Sequence, residues 1–344
     1  MRRILVLAVA ILLAGCAGNT AVTVPQRRAV VIVSGLASTT PFTTPQNACG
    51  TGLAAGSADT AIRDHLLSKG RTVYTAPMMA GHGQVHDQTG FGAFGSCPAP
   101  LPDAMTVDTS GSIDLAGEHL ARFLTYLHTD KGVNEVDLVG HSMGGLYARS
   151  AIRALATSGS PVKVRSLITV GAPWQGSYLA DYADGTVPLT DCAGDQFCEN
   201  QMRGYVKDVA QVYPSGSAHE LGANYLTGPM GWNESQAGSL DGIPVTLIGG
   251  NHFTRQGAAA PAVWPNDGIV ALRSALAVDV EDSVLPHRRC YTFDATHSDY
   301  VSMIVNLPKE TALTWDPRVL DAVNAAIENA PHALDGPSRE GCPA

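Results

Sequence analysis

Positive charge is in short supply in this chain. Lys and Arg number 22 against 31 Asp and Glu, a net of −9. Arg2 and Arg3 fall in an N-terminal segment that reads as an export signal outside the expected fold; without them 20 basic residues face 31 acidic ones, a net of −11. Such a balance argues against nucleic acid as a partner and against an electrostatic hold on anionic lipid. Beyond the first fifteen residues no apolar run is long enough to cross a bilayer. There is no C-x-x-C pair and no tight His/Cys cluster of the kind that holds zinc, so no metal is expected from that source. Internal repeats and long linkers are also missing. The remaining roughly 315 residues therefore read as one domain with an insertion rather than two domains. Its apolar content of 45% is ample for a sizeable core.

Residues 1–15 carry the layout of an export signal: basic Met1-Arg2-Arg3, an apolar stretch from Ile4 to Ala14, and the ending Leu13-Ala14-Gly15-Cys16. That ending resembles a bacterial lipobox, which implies a diacylglycerol on Cys16 and a membrane anchor holding an extracytoplasmic globule at the cell envelope. Residues 16–28 read as a lipidated tether. With Cys16 set aside, Cys49, Cys97, Cys192, Cys198, Cys290 and Cys342 remain. An even number in an exported chain suggests three disulfides. Sequence locality would pair Cys49 with Cys97, Cys192 with Cys198, and Cys290 with Cys342.

Along the chain, Ala29-Val30-Val31-Ile32-Val33 is a β-branched run suited to a strand buried on both faces. A helix follows over 59–69 and a strand over 71–75. Residues 77–111, rich in Gly, Pro and Asp, read as an irregular excursion. Ser112 caps a helix that places Ala116, Leu120, Phe123, Leu124 and Leu127 on one face. Strands are expected at 135–139, 164–170, 244–248 and 289–293. A terminal helix spans 313–327, with a proline at 317 that moves its start towards Asp316. Residues 331–344 read as a tail, and residues 177–237, glycine-rich with weak helical periodicity, as a cap insertion. Strands alternating with helices over 29–330 point to an α/β fold with a mostly parallel central sheet and helices on both faces. In such sheets reactive groups gather beyond the carboxyl ends of the strands.

At one of those ends stands Gly140-His141-Ser142-Met143-Gly144, preceded by Glu135-Val136-Asp137-Leu138-Val139 and followed by a helical pattern from Gly145. Strand, G-x-S-x-G, helix is the context of a nucleophile elbow. A serine on so sharp a turn is exposed above the sheet, at the start of a helix whose free N–H groups favour developing negative charge.

A serine hydroxyl needs a base, and the base a carboxylate to hold its tautomer. Among the 11 histidines, His219, His252, His287, His297 and His332 follow the serine. His297, a short loop beyond the last strand, is the expected base, with His252 its rival. For the acid, Asp267 in the tight turn Asn266-Asp267-Gly268-Ile269-Val270 is favoured by strand order over Asp279, Glu281, Asp282 and Asp294. The two oxyanion-hole N–H donors are expected from Met143, after the nucleophile, and from the loop after the first long strand, at Gly35-Leu36.

Together these pieces resemble the bacterial lipase branch of the α/β-hydrolases. The matching motifs are G-H-S-M-G-G, the strand ending Val170-Gly171-Ala172-Pro173 with Gly176-Ser177 beyond it, the N-D-G-I-V turn, and His297-Ser298-Asp299. The resemblance implies Ser142 as nucleophile, Asp267 as acid, His297 as base, and Leu36 and Met143 as the oxyanion hole. It departs from the family in three places. Ser34-Gly35 stands where His-Gly is usual, and Trp174 where a histidine follows Gly-Ala-Pro. Asp299 matches one aspartate of the family's structural calcium site, but no second aspartate lies between Asn251 and Asn266.

The expectation is an exported serine hydrolase of carboxylic, lipid acyl or small, esters, working through an acyl-enzyme without a cofactor. An acyltransferase using the same intermediate and a non-catalytic lipid-binding lipoprotein on the same scaffold are the alternatives. Aromatic content of 6% leaves no obvious large apolar cap face, so acyl-chain length is open.

Overall fold

The β-branched run expected at residue 29 begins at Arg27 and forms β1, Arg27–Val33, in a computed structural model that describes residues 27–47, 57–86, 97–213, 215–257, 260–331 and 334–343. The export signal, Cys16, Cys49 and His332 lie outside the described residues.

Helix α1 (Ser57–Ser68) leads to β2 (Val73–Thr75). The excursion that follows is not wholly irregular. It contains β3 (Met78–Met79) and β4 (Val107–Asp108), which pair in parallel as a separate two-stranded sheet. Strands of two residues leave no periodicity to read. Helix α2 (Ile113–Lys131) is capped by Ser112, whose Oγ accepts from Leu115 N at 3.2 Å, and it stops at Gly132 with φ 67°. Then come β5 (Val133–His141), α3 (Gly144–Ser158) and β6 (Lys163–Val170).

The insertion folds into short helices separated by glycines: α4 (Tyr178–Ala183), α5 (Gln196–Tyr205), α6 (Ser217–Glu220), α7 (Ala223–Thr227) and α8 (Trp232–Ser235). The series closes with β7 (Val245–Gly250), α9 (Leu272–Ala275), β8 (His287–Phe293), α10 (Asp299–Ile304) and α11 (Pro317–Glu328). Asp316 caps α11, accepting from Arg318 N at 2.9 Å, and Pro317 occupies the first turn, where its missing N–H costs nothing. Residues 331–344 are more than a tail. Ser338–Glu340 form β9, parallel to β8 and pinned by the Cys290–Cys342 disulfide. Three exposed polar residues carry no apolar alternation, as suits an edge strand and as hides it in the sequence.

The seven strands of the main sheet run in the order β2-β1-β5-β6-β7-β8-β9, and every pair is parallel. Alternation along each strand feeds two cores. Val31, Val33 and Leu138 face α2, α3 and the insertion, whereas Val30, Ile32, Val139, Ile168 and Ile248 face α1 and α11. The chain leaves β1 towards β2 on one side and returns to β5 on the other, so the topological switch point lies between β1 and β5. In open α/β sheets, ligands bind beyond the carboxyl ends of the strands at such a point. Ser34-Gly35-Leu36 and Ser142-Met143 are the residues that follow those two ends.

Cys192–Cys198 closes a second bridge, and Cys97 is disulfide-bonded to a partner outside the described residues. Such bridges fit an oxidising, extracytoplasmic compartment. No helix among the described residues is long and apolar enough to cross a membrane.

Candidate active site

Ser142 sits between β5 and α3 with φ 55°, a left-handed conformation costly for a side chain with a Cβ, by about 1–3 kcal/mol. Two flanking glycines make the turn sterically possible. A Cβ on Gly140 would lie 2.5 Å from Gly145 N, and one on Gly144 would lie 2.1 Å from the Val33 carbonyl oxygen. Main-chain bonds hold the turn: Ser142 N–H donates to Val170 O at 2.9 Å, and Gly145 N–H to Ser142 O at 3.1 Å. The serine is partly exposed, while Met143 behind it is wholly buried.

The loop after β1 presses against this turn. A Cβ on Gly35 would meet Ser142 Cβ at 2.6 Å, Ser142 Oγ at 3.0 Å and Met143 N at 3.1 Å. Gly35 thus packs directly against the serine, and Leu36 follows it in the chain. Neither the Leu36 nor the Met143 amide donates to a protein acceptor among the described residues. Ser34, where the family pattern has a histidine, turns inward to Thr40 (Oγ to Oγ1, 3.1 Å) and donates its N–H to Met78 Sδ at 3.0 Å. The loop is braced further on, where Ser38 O accepts from Thr109 Oγ1 at 3.0 Å and Thr109 O accepts from the Tyr147 hydroxyl of α3 at 3.0 Å.

Asp267 and His297 are brought together. Both are buried, and His297 Nδ1 lies 2.8 Å from Asp267 Oδ2. A wholly buried carboxylate must be compensated by hydrogen bonds. Its Oδ1 accepts from Ile269 N at 3.0 Å and Val270 N at 2.8 Å, the bonds that the N-D-G-I-V turn is shaped to supply. The backbone doubles the link, since His297 N–H donates to Asp267 O at 2.7 Å. Asn266 stiffens the turn from inside, its Oδ1 accepting from Gly268 N at 2.8 Å. With Nδ1 committed to the carboxylate, Nε2 is the basic nitrogen.

The rivals are engaged elsewhere. His252 Nδ1 pairs with Asp294 Oδ1 at 2.8 Å, on an exposed carboxylate, and His219 lies 3.9 Å from Asp184. Asp279 meets Arg273 and Gln175, and Asp282 meets Arg288 and Arg339. Asp299 starts α10, but among the described residues no group of three or more His, Cys, Asp or Glu forms a metal-binding set.

Three residues escaped the sequence reading. Gly171, φ 61°, abuts the dyad: a Cβ there would lie 3.1 Å from His297 Nδ1 and 3.2 Å from Asp267 Oδ2. His141 is buried beside Ser142, its Nε2 3.0 Å from the His297 carbonyl oxygen and its ring centroid 4.8 Å from that of His297. Burial and, secondly, the neighbouring His297 lower its pKa to about 3. Arg149 is wholly buried on α3 between two indoles, 4.1 Å from the Trp174 ring centroid and 4.7 Å from that of Trp232. Its charge in the apolar i, i+3 series of Leu146, Arg149 and Ile152 was the signal to be read. Trp174 points inward and is wholly buried, its Nε1 donating to Thr169 Oγ1 at 3.0 Å.

The insertion is tied down at both margins. Ser177 Oγ and Tyr178 Oη donate to Ile269 O and Gly268 O at 2.6 and 2.9 Å, joining α4 to the Asp267 turn. On the other side Glu220 accepts from Ile113 N at 2.6 Å and Trp232 Nε1 donates to Asp114 at 3.0 Å, joining the insertion to α2.

A family model described as a PGAP1-like alpha/beta domain matches residues 118–216, less than a third of the chain. No curated protein sequence matches. Solved structures similar to this one include the mature lipase BlEst2 of Bacillus licheniformis, at 17% identity over 73% of this chain and 80% of that one, with a TM-score of 0.44. The product of gene lin2722 of Listeria innocua is similar at 14% identity over 92% and 98%, with a TM-score of 0.48. The esterase Pf2001 of Pyrococcus furiosus is similar at 12% over 88% and 81%, with a TM-score of 0.45. The α/β-hydrolase fold of this chain stands on its own strand order, its switch point between β1 and β5, and the elbow turn at Ser142.

Proposed function

We propose that the protein is a serine hydrolase of carboxylic esters, exported and held at the cell envelope by a lipid on Cys16. The observation that carries this reading is the buried Asp267–His297 dyad, at 2.8 Å, packed against the strand end that precedes a strained serine. Gly171, whose Cα borders the imidazole, directly follows Val170, which accepts the Ser142 N–H.

In the proposed reaction His297 Nε2 takes the Ser142 proton as Oγ attacks the ester carbonyl carbon. The oxyanion is held by the N–H groups of Leu36 and Met143, both without protein acceptors among the described residues. Asp267 stabilises the imidazolium without being protonated itself. Collapse breaks the ester C–O bond and His297 returns the proton to the departing alkoxide. Water then attacks the acyl-enzyme, losing its proton to His297; the Ser142 Oγ–acyl carbon bond breaks as His297 returns that proton to Oγ, and the carboxylic acid leaves. No cofactor takes part. The insertion borders the site through α4 and shapes the acyl pocket; an acyl lipid or a small ester is the substrate class.

The test is a panel of nitrophenyl and glyceryl esters of graded acyl length, assayed on wild type and Ser142→Ala. Hydrolysis that Ser142→Ala abolishes is expected, and its length profile reports the pocket. Hydrolysis surviving Ser142→Ala, or none with any ester, would overturn the assignment.

A further inference from the structure

The nucleophile and the base belong to elements that the sheet does not join directly. Ser142 follows β5, His297 follows β8, and β6 and β7 lie between them. At about 4.8 Å per strand, three spacings put those strands some 14 Å apart. Each ladder in the series tolerates small shifts, whereas proton transfer needs Oγ and Nε2 within hydrogen-bond reach.

The loop after β8 returns over the strand ends, and one side chain ties it to β5. His141 ends β5, immediately before the serine, and its Nε2 reaches the main-chain carbonyl oxygen of His297 at 3.0 Å. A carbonyl oxygen only accepts, so His141 carries its proton on Nε2 and donates. The two rings lie 4.8 Å apart at 43°. His297 is thereby held from two sides: its N–H donates to Asp267 O at 2.7 Å and its carbonyl accepts from His141.

We propose that His141 is a positioning residue, which ties the loop carrying the base to the strand carrying the nucleophile through its Nε2–H···O=C bond to His297. This rests on the assignment of Ser142 and His297 made above. His141 is no proton relay, because the group it contacts is a carbonyl. Nor does it add charge beside the imidazolium that forms during catalysis: burial keeps it neutral, with a pKa of about 3.

The test compares His141→Leu, which fills the space without a donor, with His141→Gln, whose amide nitrogen reaches nearly as far as Nε2. For His141→Leu a fall in kcat of about 10- to 100-fold is expected, with KM within twofold of wild type, because misplacing reacting groups by about 1 Å costs on this scale. The rate of fluorophosphonate labelling at Ser142 should fall by the same factor. His141→Gln should recover to within about threefold of wild type, a rescue that mere space-filling would not produce. Wild-type kcat in folded His141→Leu, or equal damage in both variants, would overturn the proposal.

Where His141→Leu does not fold, nitrogen NMR of the wild-type ring decides. A proton on Nε2 from pH 5 to 8 supports the bond, and a neutral ring protonated on Nδ1 alone refutes it. Labelling of wild type that survives Ser142→Ala would instead remove the underlying assignment, and the positioning role with it.

Discussion

Replacing Asp267 by Asn changes one atom and should silence the proposed chemistry without unfolding the chain. The carboxylate makes three bonds: Oδ1 accepts from Ile269 N and Val270 N at 3.0 and 2.8 Å, and Oδ2 pairs with His297 Nδ1 at 2.8 Å. An asparagine must choose which way to face. With its NH2 towards the two amides, it would lose two bonds and set donors against donors in a wholly buried site, at a cost of about 4 kcal/mol. That is nearly a thousandfold in population. The oxygen therefore stays on Ile269 and Val270, and the NH2 faces the imidazole. His297 must then accept at Nδ1 and move its proton to Nε2, the nitrogen that should receive the Ser142 proton. A fall in kcat of about 10³- to 10⁴-fold is expected, the scale on which a wrong tautomer disables such a triad. KM should barely change, and the thermal midpoint should move by only a few degrees. Steady-state hydrolysis of a short nitrophenyl ester, with a melting curve on the same sample, measures both. Activity within tenfold of wild type would refute the role given to Asp267.

Gly35→Ala places a methyl 3.0 Å from Ser142 Oγ and 3.1 Å from Met143 N; kcat should fall by about 100-fold or more for a stability loss of about 1–3 kcal/mol, and unchanged kcat would remove the loop after β1 from the oxyanion hole. Arg149 is buried with its Nε and Nη2 lacking partners among the described residues, and burial lowers its pKa to about 9. Arg149→Met gives up stacking on the two indoles and the Nη1 bond to Asn233 Oδ1 at 2.8 Å, about 1–2 kcal/mol each, but removes a poorly compensated buried charge; the unfolding midpoint at pH 7 should stay near wild type or rise, and that relief should fade above pH 9, where the folded wild type sheds the proton. A loss above about 3 kcal/mol would contradict this. Asp181 has its pKa raised to about 6, by burial first and Asp184 also, against the opposing Ala223 N–H bond. A raised acid binds its proton more tightly when folded, so the wild type loses stability as pH rises from about 4 to 6. Asp181→Asn, which keeps an acceptor for Ala223 N–H, should exceed wild type by about 2–3 kcal/mol at pH 7 and match it below about pH 4; urea unfolding at both pH values checks this.

Much of the architecture was legible because long buried strands and amphipathic helices announce themselves. The β-branched run at 29–33, the Ser112 cap and the Gly-x-Ser-x-Gly turn each have a local physical signature, and each stands close to its expected place. β3, β4 and β9 were hidden by their length of two or three residues. Disulfides Cys192–Cys198 and Cys290–Cys342 were found by locality alone, although the second closes across 52 residues. At the site, chain order singled out Asp267 and His297, which are hydrogen-bonded, over His252 and Asp294, which pair with each other. His141, Gly171 and Arg149 were missed for a common reason. Their significance lies in what they touch across the fold, namely a carbonyl 156 residues away, an imidazole and two indoles. Only Arg149 leaves a trace in the sequence, a charge within an apolar helical series; the contacts of His141 and Gly171 leave none.

The central claim is that Ser142 is a nucleophile activated by His297, and covalent labelling tests it most directly. Wild-type protein should take up one fluorophosphonate, found by peptide mass on Ser142, with no uptake in Ser142→Ala and a rate at least about 100-fold lower in His297→Ala. A label on another residue, or unaltered labelling of Ser142 in His297→Ala, would contradict the account.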